Sequence, residues 1–60
     1  FLSYIDSLFL MQRIYKNETY TIVINNSDKE VSYKTSGKII LQNNYKDNIL
    51  GAYGFVVYKL

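Results

Sequence analysis

The sequence predicts an all-β chain, a small antiparallel β-sandwich of Greek-key-like topology with about six to seven short strands. Three observations point there. Strand formers dominate, with seven Tyr, three Phe and many Ile and Val, whereas Ala, the best helix former, occurs once, at Ala52. No window carries apolar residues at i, i+3, i+4 and i+7 over several turns, so no amphipathic helix is expected. The apolar runs are short and are separated by Asn, Ser, Asp and Gly, which is the punctuation of strands and turns.

A first short strand is expected at Leu2–Ile5 and a second at Phe9–Tyr15. Lys16-Asn17-Glu18 makes a tight connection, because Asn tolerates a positive φ. The third strand, Thr19–Asn25, puts Tyr20, Ile22 and Ile24 on one face and Thr19, Thr21 and Val23 on the other. β-branched residues on both faces mark it as central. Asn26-Ser27-Asp28 turns the chain into a fourth strand, Glu30–Lys34, with Val31 and Tyr33 inward. Thr35-Ser36-Gly37 is the next turn, and Lys38–Gln42 the fifth strand. Asn43–Asn48 is the longest polar run and is expected to be a mobile loop. Ile49-Leu50 forms a short added strand. Gly51 and Gly54 bracket a bend, and Phe55–Leu60 is the last strand. The inward set is then Phe9, Met11, Tyr20, Ile22, Ile24, Val31, Tyr33, Ile39, Leu41, Phe55 and Val57.

A chain of 60 residues forms one domain with a small core, marginal in isolation without disulfides or a metal. It opens on Phe1 and is expected to be a fragment of something longer. With no Cys and no His, a disulfide framework, a zinc site, a thiol nucleophile and an imidazole base are excluded, so no metal and no cofactor are expected. The net charge of +2 is small and dispersed, which argues against a nucleic-acid partner. The apolar opening Phe1–Met11 is interrupted by Ser3, Asp6 and Ser7 and has no basic segment before it, so neither a signal peptide nor a membrane span is read there. Nothing supports a secreted context, and a cytoplasmic setting is favoured.

Candidate chemistry is sparse. Asp28 and Glu30 are paired carboxylates about a turn, and with Asp6 and Asp47 they read as turn and surface residues rather than catalytic ones. No catalytic residue is expected. Asn25-Asn26-Ser27 and Asn17-Glu18-Thr19 match the glycosylation pattern, but turn formation explains them better. Arg13 lies inside an apolar strand, where its guanidinium suits a carboxylate within the domain or across an interdomain contact. Among the tyrosines, Tyr45 is the one expected to be freely exposed and the candidate for contact with a glycan.

The order of these residues resembles the C-terminal β-domain of the α-amylase-family glycoside hydrolases, in the branch of oligo-1,6-glucosidase, α-glucosidase and neopullulanase. The resemblance is carried by Phe9-Leu-Met-Gln-Arg13, by Tyr20-Thr-Ile-Val-Ile-Asn-Asn-Ser-Asp28 with Glu30-Val31, by Ser36-Gly-Lys-Ile-Ile-Leu-Gln-Asn43 and by Ala52-Tyr-Gly-Phe-Val-Val-Tyr-Lys-Leu60. Phe1–Ser7 resembles the entry into this domain, while Ala52 stands where that family usually has Pro. The resemblance implies a parent enzyme with a catalytic (β/α)₈ barrel in the same chain, hydrolysing α-glucosidic bonds. It implies a non-catalytic structural role for these residues. A stand-alone module binding α-glucan through exposed Tyr, and a small β interaction domain, are the competing readings.

Overall fold

The computed structural model describes the backbone of Leu2–Ile5 and the whole of Leu8–Leu60. The expected turn at Asp6 lies outside these residues, as does Phe1. Six strands form one antiparallel sheet: β1 (Leu2–Ile5), β2 (Leu8–Tyr15), β3 (Glu18–Asn25), β4 (Val31–Ser32), β5 (Lys38–Lys46) and β6 (Ile49–Lys59). The described residues contain no helix. The all-β antiparallel class is therefore as expected. The strands make a single curled sheet rather than two stacked ones.

β1, β2 and β3 form a meander, and β3 pairs with the far half of β6, from Ile24↔Phe55 to Tyr20↔Lys59. β5 pairs along the other edge of β6, from Lys46↔Ile49 to Lys38↔Lys59. β4 pairs with Ile49 and Leu50 on the edge that β3 has left. The chain between β4 and β5 therefore has to cross one face of β6, which makes the topology Greek-key-like. Gly37 ends that crossing so close to Lys59 that a Cβ there would collide with the Lys59 carbonyl.

Two hairpin turns are two residues long. Lys16 and Asn17 have φ of 51° and 64°, and Asp47 and Asn48 have 52° and 63°. Positive φ at both central residues is the type I′ signature, whose twist matches that of the flanking strands. The first turn is the expected one. The second corrects the expectation of a mobile loop: Asn43–Lys46 continues β5, and only Asp47-Asn48 turns. Likewise Ile49-Leu50 and Phe55–Leu60 are not separate strands. Ile49-Leu50 and Phe55–Lys59 belong to one strand of 11 residues, interrupted where Tyr53 takes a φ of 54°, and Leu60 lies beyond its end.

The registers sort the side chains onto two faces. On one, Leu10, Val23, Val56 and Gln42 form a row, next to Gln12, Thr21, Tyr58 and Ile39. This face is closed. Val23, Leu50, Val56 and Tyr58 are buried, and Leu8, Leu10, Val31, Tyr33 and Tyr45 pack on them. The crossing segment is pinned over the face by three hydrogen bonds. The hydroxyls of Tyr33 and Tyr58 meet at 2.6 Å, Tyr45 Oη donates to the Tyr33 carbonyl at 2.7 Å, and Tyr33 N donates to the Asn48 carbonyl at 2.9 Å.

The other face corrects the expected core. Phe9, Ile24, Phe55 and Asn43 form its first row, Met11, Ile22, Val57 and Leu41 its second, and Arg13, Tyr20, Lys59 and Lys38 its third. None of these residues is buried, Ile24 remains 38% exposed and Leu41 60%. Of the expected inward set, only Val31 and Tyr33 pack on the core, and Ile39 lies on the closed face but at its exposed edge. The alternation has the expected period, but in β2, β3 and β6 the opposite face is the covered one.

Candidate docking face and polar hollow

The open face has an apolar centre and a polar end. Phe9, Met11, Ile22, Ile24, Phe55 and Val57 come from three adjacent strands and stand side by side on one surface. Cross-strand neighbours lie about 5 Å apart, so these side chains make a contiguous strip. Contiguous apolar strips of this kind are characteristic of contact surfaces.

The polar end is organised around Glu18. Lys59 Nζ donates to its carboxylate at 2.6 Å and Tyr20 Oη donates to it at 3.1 Å. The hydrogen bond from Lys59, then that from Tyr20, holds the Glu18 carboxyl below the usual range, and the same contact raises Lys59 and Tyr20 above theirs. Arg13 lies on this face opposite Tyr20, exposed and without an ion pair among the described residues. Its guanidinium is therefore at the rim of the apolar strip.

Asn25 is the polar residue that sequence reasoning missed. It is fully buried, and its Nδ2 lies 2.7 Å from the Lys29 carbonyl, 2.9 Å from that of Gly51 and 3.2 Å from that of Leu50. Ser27 Oγ donates to its Oδ1 at 3.0 Å. One amide thus ties the end of β3, the following turn and the start of β6 together. A nitrogen spent in this way inside the fold cannot carry a glycan, so the Asn25-Asn26-Ser27 pattern is structural. The signal in the sequence was a polar residue on the Thr21-Val23 face of a central strand.

A second feature lies at the hairpin end of β5 and β6. It is an open hollow of about 520 Å³, lined by Glu30, Gln42, Asn43, Asn44, Tyr45 and Asp47 among others. Tyr45 does not stand free, as the sequence suggested. Its ring packs on the core and its hydroxyl is bonded, while among the described residues Tyr15 and Tyr53 are the exposed tyrosines. Asp28 and Glu30 are both exposed, which suits the surface role given to them. Among the described residues no group of three or more metal-ligating side chains converges, and no helix is long and apolar enough to cross a membrane.

The model of one protein family, described as the beta-galactosidase C-terminal domain, matches residues 8–60. The match agrees with the sequence reading as far as the C-terminal domain of a glycoside hydrolase. It does not support the α-amylase branch, which is a different family. No curated protein and no solved structure matches the chain.

Proposed function

Because this chain belongs to the beta-galactosidase C-terminal domain family of glycoside hydrolases, we propose that it is a non-catalytic structural domain that docks through its open face onto the catalytic domain of its own polypeptide. The 60 residues act as one accessory domain of a larger enzyme. That enzyme carries its catalytic residues elsewhere, in a (β/α)₈ barrel, and cleaves β-galactosidic bonds.

The observation that carries this reading is the difference between the two faces. One is sealed by the domain's own chain, and the other presents Phe9, Met11, Ile22, Ile24, Phe55 and Val57, none of them fully buried among the described residues. Fully burying a large apolar side chain is worth about 1.5–3 kcal/mol. These side chains are already partly covered by their neighbours, so each has less than that to gain from a partner. Six of them together still supply a substantial contact. Arg13 at the rim is proposed as an interdomain contact, through a carboxylate on the catalytic domain.

Two measurements on the full-length enzyme test the proposal. Chromogenic β-galactoside and α-glucoside substrates distinguish the proposed bond from the one the sequence resemblance implied. Turnover of the β-galactoside is expected, and turnover of the α-glucoside alone overturns the assignment. Ile24→Asp then places a charge in the centre of the contact. It is expected to lower the melting temperature of the whole enzyme by several degrees and to speed proteolytic release of the domain. An unchanged melt and an unchanged cleavage rate count against docking.

A further inference from the structure

We propose that the hollow at the β5–β6 hairpin end is a surface site for a neutral saccharide, separate from whatever site performs catalysis. Three features of the hollow support this.

The first is its construction. Asn43 pairs with Phe55 and Tyr45 with Leu50, so at this β-bulge Asn44 alone stands opposite the four extra residues Gly51–Gly54 of β6, and it has a φ of 58°. Bulges turn a side chain away from the plain alternation of the strand. Here the bulge carries the Asn44 amide over Gly51, whose missing Cβ leaves the room it occupies. Asn44 Nδ2 donates to the Ala52 carbonyl at 3.0 Å, which holds the amide in place. Tyr45 is held as well, because its hydroxyl donates to Tyr33 O and lies 3.2 Å from Asn48 Oδ1. Its ring is thus a fixed part of the wall.

The second feature is the set of polar groups left over. Among the described residues, the side chains of Glu30, Gln42, Asn43 and Asp47 make no hydrogen bond to the protein, though all line the same hollow. Amides offer both donors and acceptors, and carboxylates offer acceptors. Hydroxyl groups in pairs need this mixture. An anionic ligand is disfavoured, because among the described residues of the lining Glu30 and Asp47 outweigh Lys46.

The third feature is size. A volume of about 520 Å³ falls within the usual range of small-molecule sites and admits a mono- or disaccharide. The wide mouth indicates weak binding, with Kd in the range of about 1 mM or above.

The site stands on its own geometry, and only the choice of sugars draws on the glycosidase reading. The test uses the full-length enzyme with its catalytic site blocked by a covalent inactivator. Lactose and maltose are each titrated calorimetrically, so the site is judged whatever bond the enzyme cleaves. Saturable millimolar binding of at least one is expected. The pair Gln42→Ala and Asn44→Gly is expected to weaken it at least tenfold. Glycine is chosen at position 44 because it tolerates the positive φ while removing the amide. No heat from either sugar, or binding that the two substitutions leave unchanged, overturns the proposal.

Discussion

The hydroxyls of Tyr33 and Tyr58 lie 2.6 Å apart, joining the segment that crosses the sheet to the strand it crosses. Their rings are tilted against each other at a centroid distance of 6.2 Å. Burial first, and then the hydrogen bond to Tyr58, pushes the Tyr33 phenol well above its ordinary range. The folded state therefore favours the neutral phenol. Its stabilising effect is complete below the unfolded pKa, about 10, and is lost as pH rises from there towards the folded pKa. Stability should fall steeply above about pH 10. Tyr33→Phe should flatten that fall and cost about 0.5–1.5 kcal/mol at neutral pH, for the lost hydrogen bond. Denaturant midpoints across alkaline pH check both, and equal alkaline slopes in the two proteins would count against the assignment.

Asn25 should be the most sensitive polar position. Asn25→Ala leaves the carbonyls of Lys29, Leu50 and Gly51 without the donor they share. A buried polar group left without a partner costs about 1–3 kcal/mol. A loss of about 2–3 kcal/mol is expected in urea unfolding. Asn25→Asp should be no better, since it points a carboxylate oxygen at carbonyl oxygens. A midpoint within error of the parent would remove the clamp from the account.

The two faces should respond differently to truncation. Leu50 is fully buried in the closed core, so Leu50→Ala should cost about 2–5 kcal/mol. Ile24 keeps 38% of its surface exposed, so Ile24→Ala should cost under half as much. Equal losses at the two positions would mean that the faces have been assigned wrongly.

The Glu18–Lys59 contact predicts an acid-side effect. The folded Glu18 pKa is depressed, chiefly by the hydrogen bond from Lys59. Its contribution is present above the unfolded value, about 4.3, and is lost as pH falls through the folded pKa. Glu18→Gln should therefore make the acid limb of the stability profile shallower. Because the pair is solvent-accessible, the effect should be small and should fade in high salt. An acid limb that Glu18→Gln leaves unaltered would contradict this.

Much of the fold was legible in local chemistry. Lys16-Asn17 sat where a turn with positive φ was needed, and the limits of β3 followed from its run of β-branched residues. Asp47-Asn48 is the same kind of turn, hidden because the polar residues before it, Asn43 to Lys46, look like loop while belonging to β5. The choice of face failed for a different reason. Hydrophobicity favours Tyr20, Ile22 and Ile24 over Thr21, Val23 and Asn25 as the inner set, yet the second set is the one covered. Thr21 and Asn25 are tolerated inside because their polar groups are hydrogen-bonded. A strand covered on one side by its own chain and on the other by a neighbour carries two apolar faces, and alternation alone does not say which is which. Gly51 and Gly54 marked the irregularity of β6 that shapes the hollow, but the placement of Asn44 across it follows only from the register of β5 on β6.

Docking of the open face would shield Ile24, which thiol labelling can read. This chain has no cysteine, so Ile24→Cys and Ile14→Cys each add a single thiol to it. Ile24 lies in the open face and Ile14, which is not in that strip, serves as the exposed control. Within the domain itself their exposures, 38% and 76%, differ twofold. In the native full-length enzyme, labelling at position 24 is predicted to be more than about tenfold slower than at position 14, a gap the twofold difference in exposure does not explain. Labelling at position 24 within about twofold of that at position 14 would show that nothing covers the face, and would contradict the account.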